Sequence, residues 1–371
     1  MSSIAIPETP AVKAAGLSAG STATADGRLR LIDAYRAMAA LMVFGFHITP
    51  QLGGFPAQVL SHGWLGVQVF FAISGFVIAH SVGSSRITPG YVGNFILRRS
   101  VRLDPPYWAV IALALMLLAA SKGVLLDSAA AVPTWGAVFA HVLYLQNVLG
   151  YGDILDVFWS LCIEVQLYLV FVVFLGVVQS FSPARRDFRG RAGVAAVAVF
   201  VALAILSFAA TPWFGLRPKV WFLTYWNQFF LGVLAAWALE RRVARGWFLG
   251  YAGILAAAAT FLASNIEDLT ALVTAVVIVA AGQRGWLHGG LTWSGLPWFG
   301  RLSYSFYLIH TLVLARLTRL VARVGVTAAI TPFLVISLGL VASMVAAWSL
   351  YRLAELPCVH LSKRLKPTVG K

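Results

Sequence analysis

The sequence predicts an all-α, polytopic membrane bundle of about ten transmembrane helices with one re-entrant or interfacial helix. Of the 371 residues, 60% are hydrophobic and 11% are charged, whereas about a quarter of the residues in soluble domains are charged. The mean hydropathy is +0.83. Apolar runs of about 20 residues, the length that crosses a bilayer, recur from residue 33 onward and alternate with basic loops.

The predicted spans lie at 33–52, 64–82, 105–121, 157–178, 193–211, 220–239, 248–264, 269–282, 298–320 and 327–352. Whether a weaker apolar run, 134–150, also crosses the membrane determines on which side every later loop lies. With ten crossings and a cytoplasmic start, the basic loops near Arg98, Arg185 and Arg241 all fall in the cytoplasm, where membrane proteins carry most loop Lys and Arg. If 134–150 were an eleventh crossing, the loop near Arg185 would lie outside while the loop near Arg98 stayed in the cytoplasm. The basic loops would then no longer share one side of the membrane. We therefore expect 134–150, which contains polar residues, to be re-entrant or interfacial on the outer side.

We expect one membrane domain, residues 31–358, between two cytoplasmic tails. Residues 1–30 lack the charged start and apolar core of a signal peptide and are expected to form a disordered tail. Residues 359–371 are expected to form a basic tail. The net charge of +15 follows the loop topology, so we do not expect nucleic-acid binding. Both cysteines lie in or beside apolar segments, at no spacing typical of disulfides or metal ligands.

Arg36 and His47 are ionisable residues within the first apolar run. Eleven residues separate them, so on a helix both side chains project from nearly the same face, about 16 Å apart along the axis. Ionisable groups inside a membrane are costly and normally face a cavity or a partner, so this pair indicates a functional site. The predicted topology puts Arg36 near the cytoplasmic face and His47 near the outer face.

Glu164 is the predicted partner of His47. It comes seven residues after Val157, in a span that runs inward, which puts it at about the depth of His47. A carboxylate that accepts a hydrogen bond from one ring nitrogen would orient the imidazole, and the other nitrogen could then deprotonate an attacking hydroxyl. A structural hydrogen bond between two helices is the alternative interpretation.

Arg98, Arg99 and Arg102 cluster at the predicted cytoplasmic boundary, in the segment FILRRSVRLDPPYW. Arg99 and Arg102 are three residues apart, so they share one helix face or a tight turn. Adjacent guanidinium groups bind phosphates bidentately. The cluster therefore predicts a phosphate site, with anchoring against anionic lipid as the alternative. We expect the two prolines at 105 and 106 to open the next span.

The segment GWLGVQVFFAISGFVIAHS combines small and aromatic residues. Gly63, Gly66 and Gly75 permit close approach of a neighbouring helix. Ser74 is a possible nucleophile, but a serine next to a glycine within a span more often packs or bonds to the backbone. We therefore do not assign Ser74 a catalytic function.

Two further polar groups lie within or at the end of later spans. His310 follows Tyr304 and Tyr307 in RLSYSFYLIHTLVLARL and is interpreted either as a substrate-binding group or as a satisfied residue of the bundle. Glu355 lies at the inner end of the final span. We expect it to form a structural ion pair with the cytoplasmic arginines.

Taken in order, these segments resemble the acyltransferase-3 family of integral membrane acyltransferases, which modify cell-surface glycans and some small molecules. The resemblance covers residues 30–358. It rests on the spacing of Arg36 and His47, GVQVFFAISGFVI, the Arg-x-x-Arg of Arg99 and Arg102 followed by PPYW, WSLCIEVQLYL around Glu164, and LSYSFYLIH. We infer the family from these five segments occurring together in this order.

The segment around Glu164 departs from the usual family form, which looks like WSLSVEEQFYL. Cys162 and Val165 stand where the family has a serine and a second glutamate, so Glu164 is the acidic candidate in this segment. Gln68 stands where the family often has aspartate. The matching residues, together with two from the LSYSFYLIH segment, are candidate substrate-binding residues: Trp159, Ser160, Tyr168, Tyr304 and His310.

The resemblance implies transfer of a short acyl group from acetyl-CoA or another acyl-CoA on the cytoplasmic side to a hydroxyl on the outer side. The nucleotide end of the donor would lie at Arg98, Arg99 and Arg102, and the thioester would lie near His47, with a pore-like cavity joining them. Glu164 and Arg36 complete the expected catalytic set. We expect no metal.

The resemblance further implies a multi-pass protein of the bacterial cytoplasmic (inner) membrane, in contact with membrane lipid and with both termini in the cytoplasm. The expected acceptor is a glycan, such as an exopolysaccharide or lipopolysaccharide, or a lipid-linked saccharide. One alternative is an acyltransferase that tailors a secondary metabolite or glycolipid. The other is a transporter of an acyl donor or a lipid-linked sugar, whose arginines would steer anions.

Overall fold

The computed structural model describes residues 28–83, 85–121, 132–180, 191–213, 220–261, 266–291, 295–324 and 331–365. None of these residues forms a β-strand, and long apolar helices dominate them, so the predicted all-α class is confirmed. Most of the predicted N-terminal tail, the loop that contains Arg185 and the last residues of the chain lie outside the described ranges.

The helices are α1 Arg30–Ile48, α2 Gly54–Leu60, α3 Gly66–Val82, α4 Pro89–Ser121, α5 Trp135–Val142, α6 Phe158–Ser180, α7 Arg191–Trp213, α8 Trp226–Leu239, α9 Arg245–Phe261, α10 Ile266–Gln283, α11 Leu296–Val324, α12 Thr331–Leu350 and α13 Leu356–Arg364. Short 3₁₀ turns lie at Thr49–Gln51, Ser61–Leu65 and Phe222–Tyr225. A π-helical turn, Tyr351–Glu355, joins α12 to α13.

Eight segments of the described chain are long and apolar enough to cross a membrane, so this is a multi-pass membrane protein. They correspond to the predicted spans apart from 193–211 and 248–264. Those two correspond to α7, which contains the shorter apolar stretch Val197–Ser207, and to the 17-residue α9.

The helix directions alternate between two ends of the bundle. At one end, Leu31 N, at the start of α1, donates to Leu287 O, just after α10 (3.1 Å). At the same end, His80 near the end of α3 bonds to Glu240 just after α8 (2.7 Å). Because α8 and α10 both end here, α9 must carry the chain back to the opposite end. This alternation agrees with the predicted order of crossings.

Helix α4 differs from the sequence prediction. It begins at Pro89 and runs for 33 residues, with Pro105 and Pro106 in its interior, so the expectation that these prolines open the helix is wrong. An interior proline removes a backbone hydrogen bond and costs about 3 kcal/mol. Next to these prolines the ring of Tyr107 stacks on the ring of Tyr144, with 4.6 Å between centroids, and this contact offsets part of that cost.

The segment expected to be re-entrant or interfacial, 134–150, contains a short helix, α5, of eight residues, a length of about 12 Å that cannot cross a bilayer. After α5 the chain turns back on itself. The buried His141 donates from Nδ1 to Ala137 O (2.7 Å) and accepts at Nε2 from Ile154 N (3.0 Å). Burial lowers the pKa of His141, which favours the neutral ring that this pattern needs. We call residues 134–157 the folded-back segment.

Candidate active site

A cavity of about 440 Å³ lies at the end of the bundle where α1 and α11 begin. We call it the basic cavity, after its cationic lining. The cations come from four regions that are distant in sequence: Arg28, Arg36, Arg99, Arg102, Arg301 and Lys363. Guanidinium and ammonium groups gathered around one space form a site for a ligand with several negative charges.

Arg99 and Arg102 both line the basic cavity, whereas Arg98 is not among its lining residues. The guanidinium of Arg99 lies over the ring of Tyr168, 5.2 Å from its centroid. The backbone oxygen of Arg98 accepts from Ser362 Oγ (2.9 Å), which attaches α13 to α4. Of the three arginines predicted to bind phosphate, the structure therefore brings two to the cavity.

Two carboxylates, Asp33 and Glu355, also line the basic cavity. Glu355 is buried, and its Oε2 accepts from Ser305 Oγ (2.6 Å). Arg36 and Arg102 line the same cavity as Glu355, so the predicted ion pair with the cytoplasmic arginines stays a prediction. A π-helical turn redirects one side chain within a long helix and is frequent at functional sites.

A second cavity, of about 40 Å³, adjoins the first and is called the small cavity. Arg36 and Ser74 line both cavities. The Nε of Arg36 donates to Ser303 Oγ (3.2 Å), which fixes the guanidinium at the junction. The remaining lining residues are Val67, Phe70, Phe71, Ser160, Leu161, Glu164, Ser303, Tyr304 and Tyr307. Guanidinium, hydroxyl and carboxylate groups therefore line part of a cavity that has room for only a few atoms.

Glu164 accepts two hydrogen bonds in the small cavity. Ser74 Oγ donates to its Oε1 (2.5 Å), and the hydroxyl of Tyr168 donates to the same oxygen. Tyr168 also donates to Ser74 (3.2 Å). Since Arg99 covers the ring of Tyr168, this hydrogen-bonded triad lies next to the cations of the basic cavity.

His47 packs against a second imidazole, that of His310, with 5.2 Å between the ring centroids. His310 is buried and donates from Nδ1 to Phe306 O (3.1 Å) and Tyr307 O (3.0 Å), so its Nε2 carries a lone pair. Within the described part of the chain this Nε2 has no hydrogen-bond partner. The predicted contact between His47 and Glu164 stays a prediction.

Tyr307 connects the imidazole pair to the small cavity. Its ring lies 6.0 Å from that of His310, and its hydroxyl is 2.6 Å from Ser160 Oγ. Tyr307 and Ser160 both line the small cavity. A continuous series of side chains thus leads from His47 to the space beside Glu164.

Tyr304 and Trp159 are the two remaining candidate substrate-binding residues, and both contact neighbouring segments. Tyr304 lines the small cavity and donates to Leu103 O (2.7 Å), which ties α11 to α4. Trp159 packs on Tyr225, with 5.5 Å between ring centroids. Cys162 donates to Tyr144 O (2.8 Å) and so holds the folded-back segment against α6.

The sequence interpretation did not assign several residues that line these cavities. The sequence predicts a packing function for Ser74, whereas in the structure Ser74 donates to Glu164. The sequence predicts that Lys363 lies in a tail, whereas α13 brings it to the basic cavity. The basic charge of 359–371 was a usable signal for Lys363. No signal within one helix could identify Ser303 as the partner of Arg36, because the two lie 267 residues apart.

Comparison with known proteins gives the class of chemistry. A family model described as an acyltransferase domain matches residues 29–352. The chain is 29% identical to Acyltransferase MdmB of Streptomyces mycarofaciens, over 92% of this chain and 94% of that protein. It is 26% identical to Putative peptidoglycan O-acetyltransferase YrhL of Bacillus subtilis, over 75% of this chain and 47% of that protein.

A further relative is Peptidoglycan O-acetyltransferase OatA of Listeria monocytogenes, 27% identical over 39% of this chain and 24% of that protein. The chain thus spans less than half the length of either peptidoglycan relative. No solved structure matches the chain. Since the family model covers most of the sequence, the predicted resemblance is confirmed: this chain belongs to the acyltransferase-3 family and is a membrane enzyme of the O-acetyltransferase type.

Proposed function

We propose that this enzyme takes an acetyl or other short acyl group from cytoplasmic acyl-CoA and transfers it to a hydroxyl of an extracytoplasmic glycan, with His47 as the general base. The enzyme would lie in the bacterial cytoplasmic membrane with both termini in the cytoplasm. One observation carries the proposal. The basic cavity and the small cavity adjoin and share Arg36 and Ser74, so a donor with a polyanionic end and an acyl end could occupy both.

The basic cavity suits the nucleotide end of acyl-CoA. That end carries several phosphates, and arginine forks bind phosphate bidentately. The cavity volume of about 440 Å³ lies within the range of about 300–1,000 Å³ that is typical of ligand pockets. Asp33 and Glu355, which also line the cavity, can accept hydrogen bonds from ribose hydroxyls or an adenine amino group.

The small cavity suits the acyl group and its thioester carbonyl. Its volume of about 40 Å³ favours acetyl over longer acyl chains. Negative charge develops on the carbonyl oxygen as an alcohol attacks, and fixed donors at that point lower the barrier. Arg36, which Ser303 holds beside this space, is the donor that we assign to the carbonyl oxygen.

In the proposed reaction, His47 removes the proton of the acceptor hydroxyl as its oxygen attacks the thioester carbon. The new C–O bond forms, the C–S bond breaks, and the CoA thiolate takes up a proton as it leaves. His310 keeps His47 in place by ring packing, and Glu164 orients the charged groups beside the carbonyl. A covalent acyl–His47 intermediate would use the same residues.

The names of two relatives, both peptidoglycan O-acetyltransferases, support a glycan acceptor. A glycan lies outside the cytoplasm, whereas acyl-CoA lies within it. Cavities that lead from a basic end toward the interior of the bundle suit a reaction between these two compartments. Family membership favours this enzymatic function over the transporter alternative.

Removing both cavity arginines tests the donor site. We predict that Arg99→Ala combined with Arg102→Ala weakens acetyl-CoA binding by about ten-fold or more for each arginine, since a hydrogen bond to a charged group contributes about 1.5–3 kcal/mol. The measurement is isothermal titration of purified protein in lipid nanodiscs. Arg98→Ala is the matched control, because Arg98 belongs to the same cluster but does not line the cavity. An equal loss of acetyl-CoA binding in Arg98→Ala, or no loss of binding in the double variant, would indicate that these arginines only anchor the protein to lipid.

A further inference from the structure

Ser74 is a buried hydroxyl at the junction of the basic cavity and the small cavity, and it lines both of them. In the proposed function, the nucleotide end of the donor lies in the basic cavity and its acyl group lies in the small cavity. The thioester that joins these two parts then lies beside Ser74. The direct transfer described above gives this hydroxyl no part in the chemistry.

The hydroxyl of Ser74 is bonded to a group that can take its proton. Its Oγ donates to Glu164 Oε1 (2.5 Å). A serine acts as a nucleophile when a base lies within hydrogen-bond reach and a third group orients that base. Here Tyr168 donates to the same oxygen of Glu164 and thereby orients the carboxylate. Ser74, Glu164 and Tyr168 therefore have the arrangement of a nucleophile, a base and an orienting residue.

Other serines that line the small cavity have partners that do not serve as a base. Ser160 Oγ donates to the backbone oxygen of Val157 (3.1 Å), which is a much weaker base than a carboxylate. Ser303 Oγ accepts from Arg36 (3.2 Å), and a guanidinium has no acceptor for a proton. The hydrogen bond to Glu164 thus distinguishes Ser74 as the serine that can be activated for attack.

The backbone that carries Ser74 is held in a fixed position. The next residue, Gly75, lies so close to α8 that an added Cβ would clash with the carbonyl oxygen of Phe229. Reacting groups must be held by packed, rigid elements to act with precision. The contact between α3 and α8 supplies this rigidity for Ser74.

Arg36 lies at the same junction, where it also lines both cavities. Ser303 holds its guanidinium there. A thioester whose carbonyl oxygen accepts from Arg36 presents its carbon to the junction, where Ser74 can attack it. The negative charge that develops on the oxygen during this attack would be stabilised by Arg36.

The size of the small cavity favours a transfer in two steps. Its volume of about 40 Å³ has room for an acetyl group but not for an acetyl group, the arm of the donor and a sugar ring together. If the acyl group stays on the protein, the donor can leave before the acceptor arrives. A covalent intermediate splits one difficult step into two easier ones in this way.

We propose that Ser74 is a covalent carrier of the acyl group between donor and acceptor. In the first step Ser74 Oγ attacks the thioester carbon, the C–O bond forms, the C–S bond breaks, Glu164 takes the serine proton and CoA leaves as the thiolate. In the second step the acceptor hydroxyl attacks the ester carbon and its proton goes to His47. The ester bond to Ser74 breaks, and Ser74 regains its proton from Glu164. The proton left on His47 balances the one that the thiolate takes up from water.

This inference rests on the proposed function for the position of the thioester and for His47 as the base of the second step. It is tested by incubating full-length protein in phosphatidylcholine nanodiscs with acetyl-CoA and no acceptor, followed by digestion and mass spectrometry. We expect one acetyl group on Ser74 in the wild type, and at least as much in His47→Ala, because that variant cannot complete the second step. Alkaline hydroxylamine should remove this acetyl group, since it cleaves esters but not the amides of acetylated lysines.

Variants of the serine and its base separate a nucleophile from a structural hydrogen-bond donor. Ser74→Ala should carry no acetyl group at this position and should lower glycan acylation in complemented cells by about 100-fold or more, while it still binds acetyl-CoA. Ser74→Cys keeps a nucleophile and should carry the acetyl group as a thioester. Glu164→Gln should slow the labelling by about 100-fold or more, because the base is lost.

Ser81→Ala is the matched control. Ser81 is an exposed serine of the same helix that donates to Ile78 O (2.9 Å), and it is not among the lining residues of either cavity. This variant should be labelled at Ser74 as rapidly as the wild type.

Three outcomes would overturn the proposal: an acetyl group on His47 instead of Ser74, no acetyl group on Ser74 in either the wild type or His47→Ala, or glycan acylation by Ser74→Ala within about ten-fold of the wild type. If Ser74 is labelled but His47→Ala still acylates the glycan, the proposed general base fails and the assignment of Ser74 stands. If His47→Ala is inactive and Ser74→Ala acylates the glycan, the assignment of Ser74 alone fails.

Discussion

Glu164 shows how a carboxylate is accommodated within the bundle. Ser74 and Tyr168 both donate to Oε1, and the guanidinium of Arg99 covers the ring of Tyr168. A carboxylate without such donors would be costly at membrane depth. These contacts keep Glu164 beside the junction of the two cavities, and in the proposed function it orders the cations around the acyl group.

Leu161 is one of the residues that limit the small cavity. We predict that Leu161→Ala raises the rate with butyryl-CoA relative to acetyl-CoA by about ten-fold, since a pocket discriminates one or two methylenes by about 1–3 kcal/mol. A competition assay with both donors and mass detection of the products measures this ratio. Leu169→Ala, on the same helix but 37% exposed, should leave the ratio unchanged. An unchanged ratio in Leu161→Ala would show that acyl length is selected elsewhere.

The sequence was sufficient to single out Arg36, Arg99 and Glu164, because charges within apolar runs are conspicuous and helix periodicity gives their faces. The sequence was not sufficient to show which residues of other helices contact these three side chains. Ser303 and Ser74 are small polar residues of a type common in membrane helices, and only the packing of distant helices makes them partners of Arg36 and Glu164. The periodicity of one helix does not indicate which other helix packs against it.

Helices α3 and α8 pack with their backbones almost in contact. A Cβ added at Gly75 would clash with the carbonyl oxygen of Phe229, and one added at Gly232 would clash with that of Ala72. Small residues at helix interfaces allow this close approach in membrane proteins. The predicted importance of Gly75 is therefore confirmed, and this contact fixes the position of Ser74 on α3.

We predict that Gly75→Ala lowers the unfolding free energy by about 1–3 kcal/mol, the usual cost of overpacking, and also lowers activity because Ser74 shifts. Thermal unfolding in detergent, followed by circular dichroism, measures the change. Gly253→Ala on α9 is the control, since nothing lies within 4 Å of an added Cβ there. It should be neutral or stabilising, by up to about 1 kcal/mol. Equal melting temperatures for the two variants would contradict the close packing.

Helices α4 and α13 show where sequence rules fail for single elements. Prolines at 105 and 106 indicate a helix start by local preference, yet α4 continues through them because its surroundings stabilise the helix more than the prolines disfavour it. The C-terminal segment is basic and short, which is typical of a tail, yet α13 packs on α4 through Ser362. Tertiary contacts outweigh local propensity in both cases.

In the molecule as a whole, the basic cavity lies at the end of the bundle where α1 and α11 begin. The positions of eight spans and the alternation of helix directions could be predicted from the sequence, because hydropathy and loop charge are sums over many residues. The cavities could not be predicted, because each is formed by side chains from several helices. In the proposed function, the nucleotide end of the donor lies in the basic cavity, and His47 lies about 16 Å further along α1 than Arg36.

The function of His47 as the general base is tested by mass spectrometry of surface glycans from cells that lack the gene. The cells are complemented with wild type, His47→Ala or His62→Ala at equal membrane abundance. His62 is an exposed residue that bonds to Gln58 O and is the histidine-matched control. We predict that wild type and His62→Ala restore the acyl mass on the glycan and that His47→Ala does not, although the purified His47→Ala protein still binds acetyl-CoA. Near-wild-type acylation by His47→Ala would contradict it.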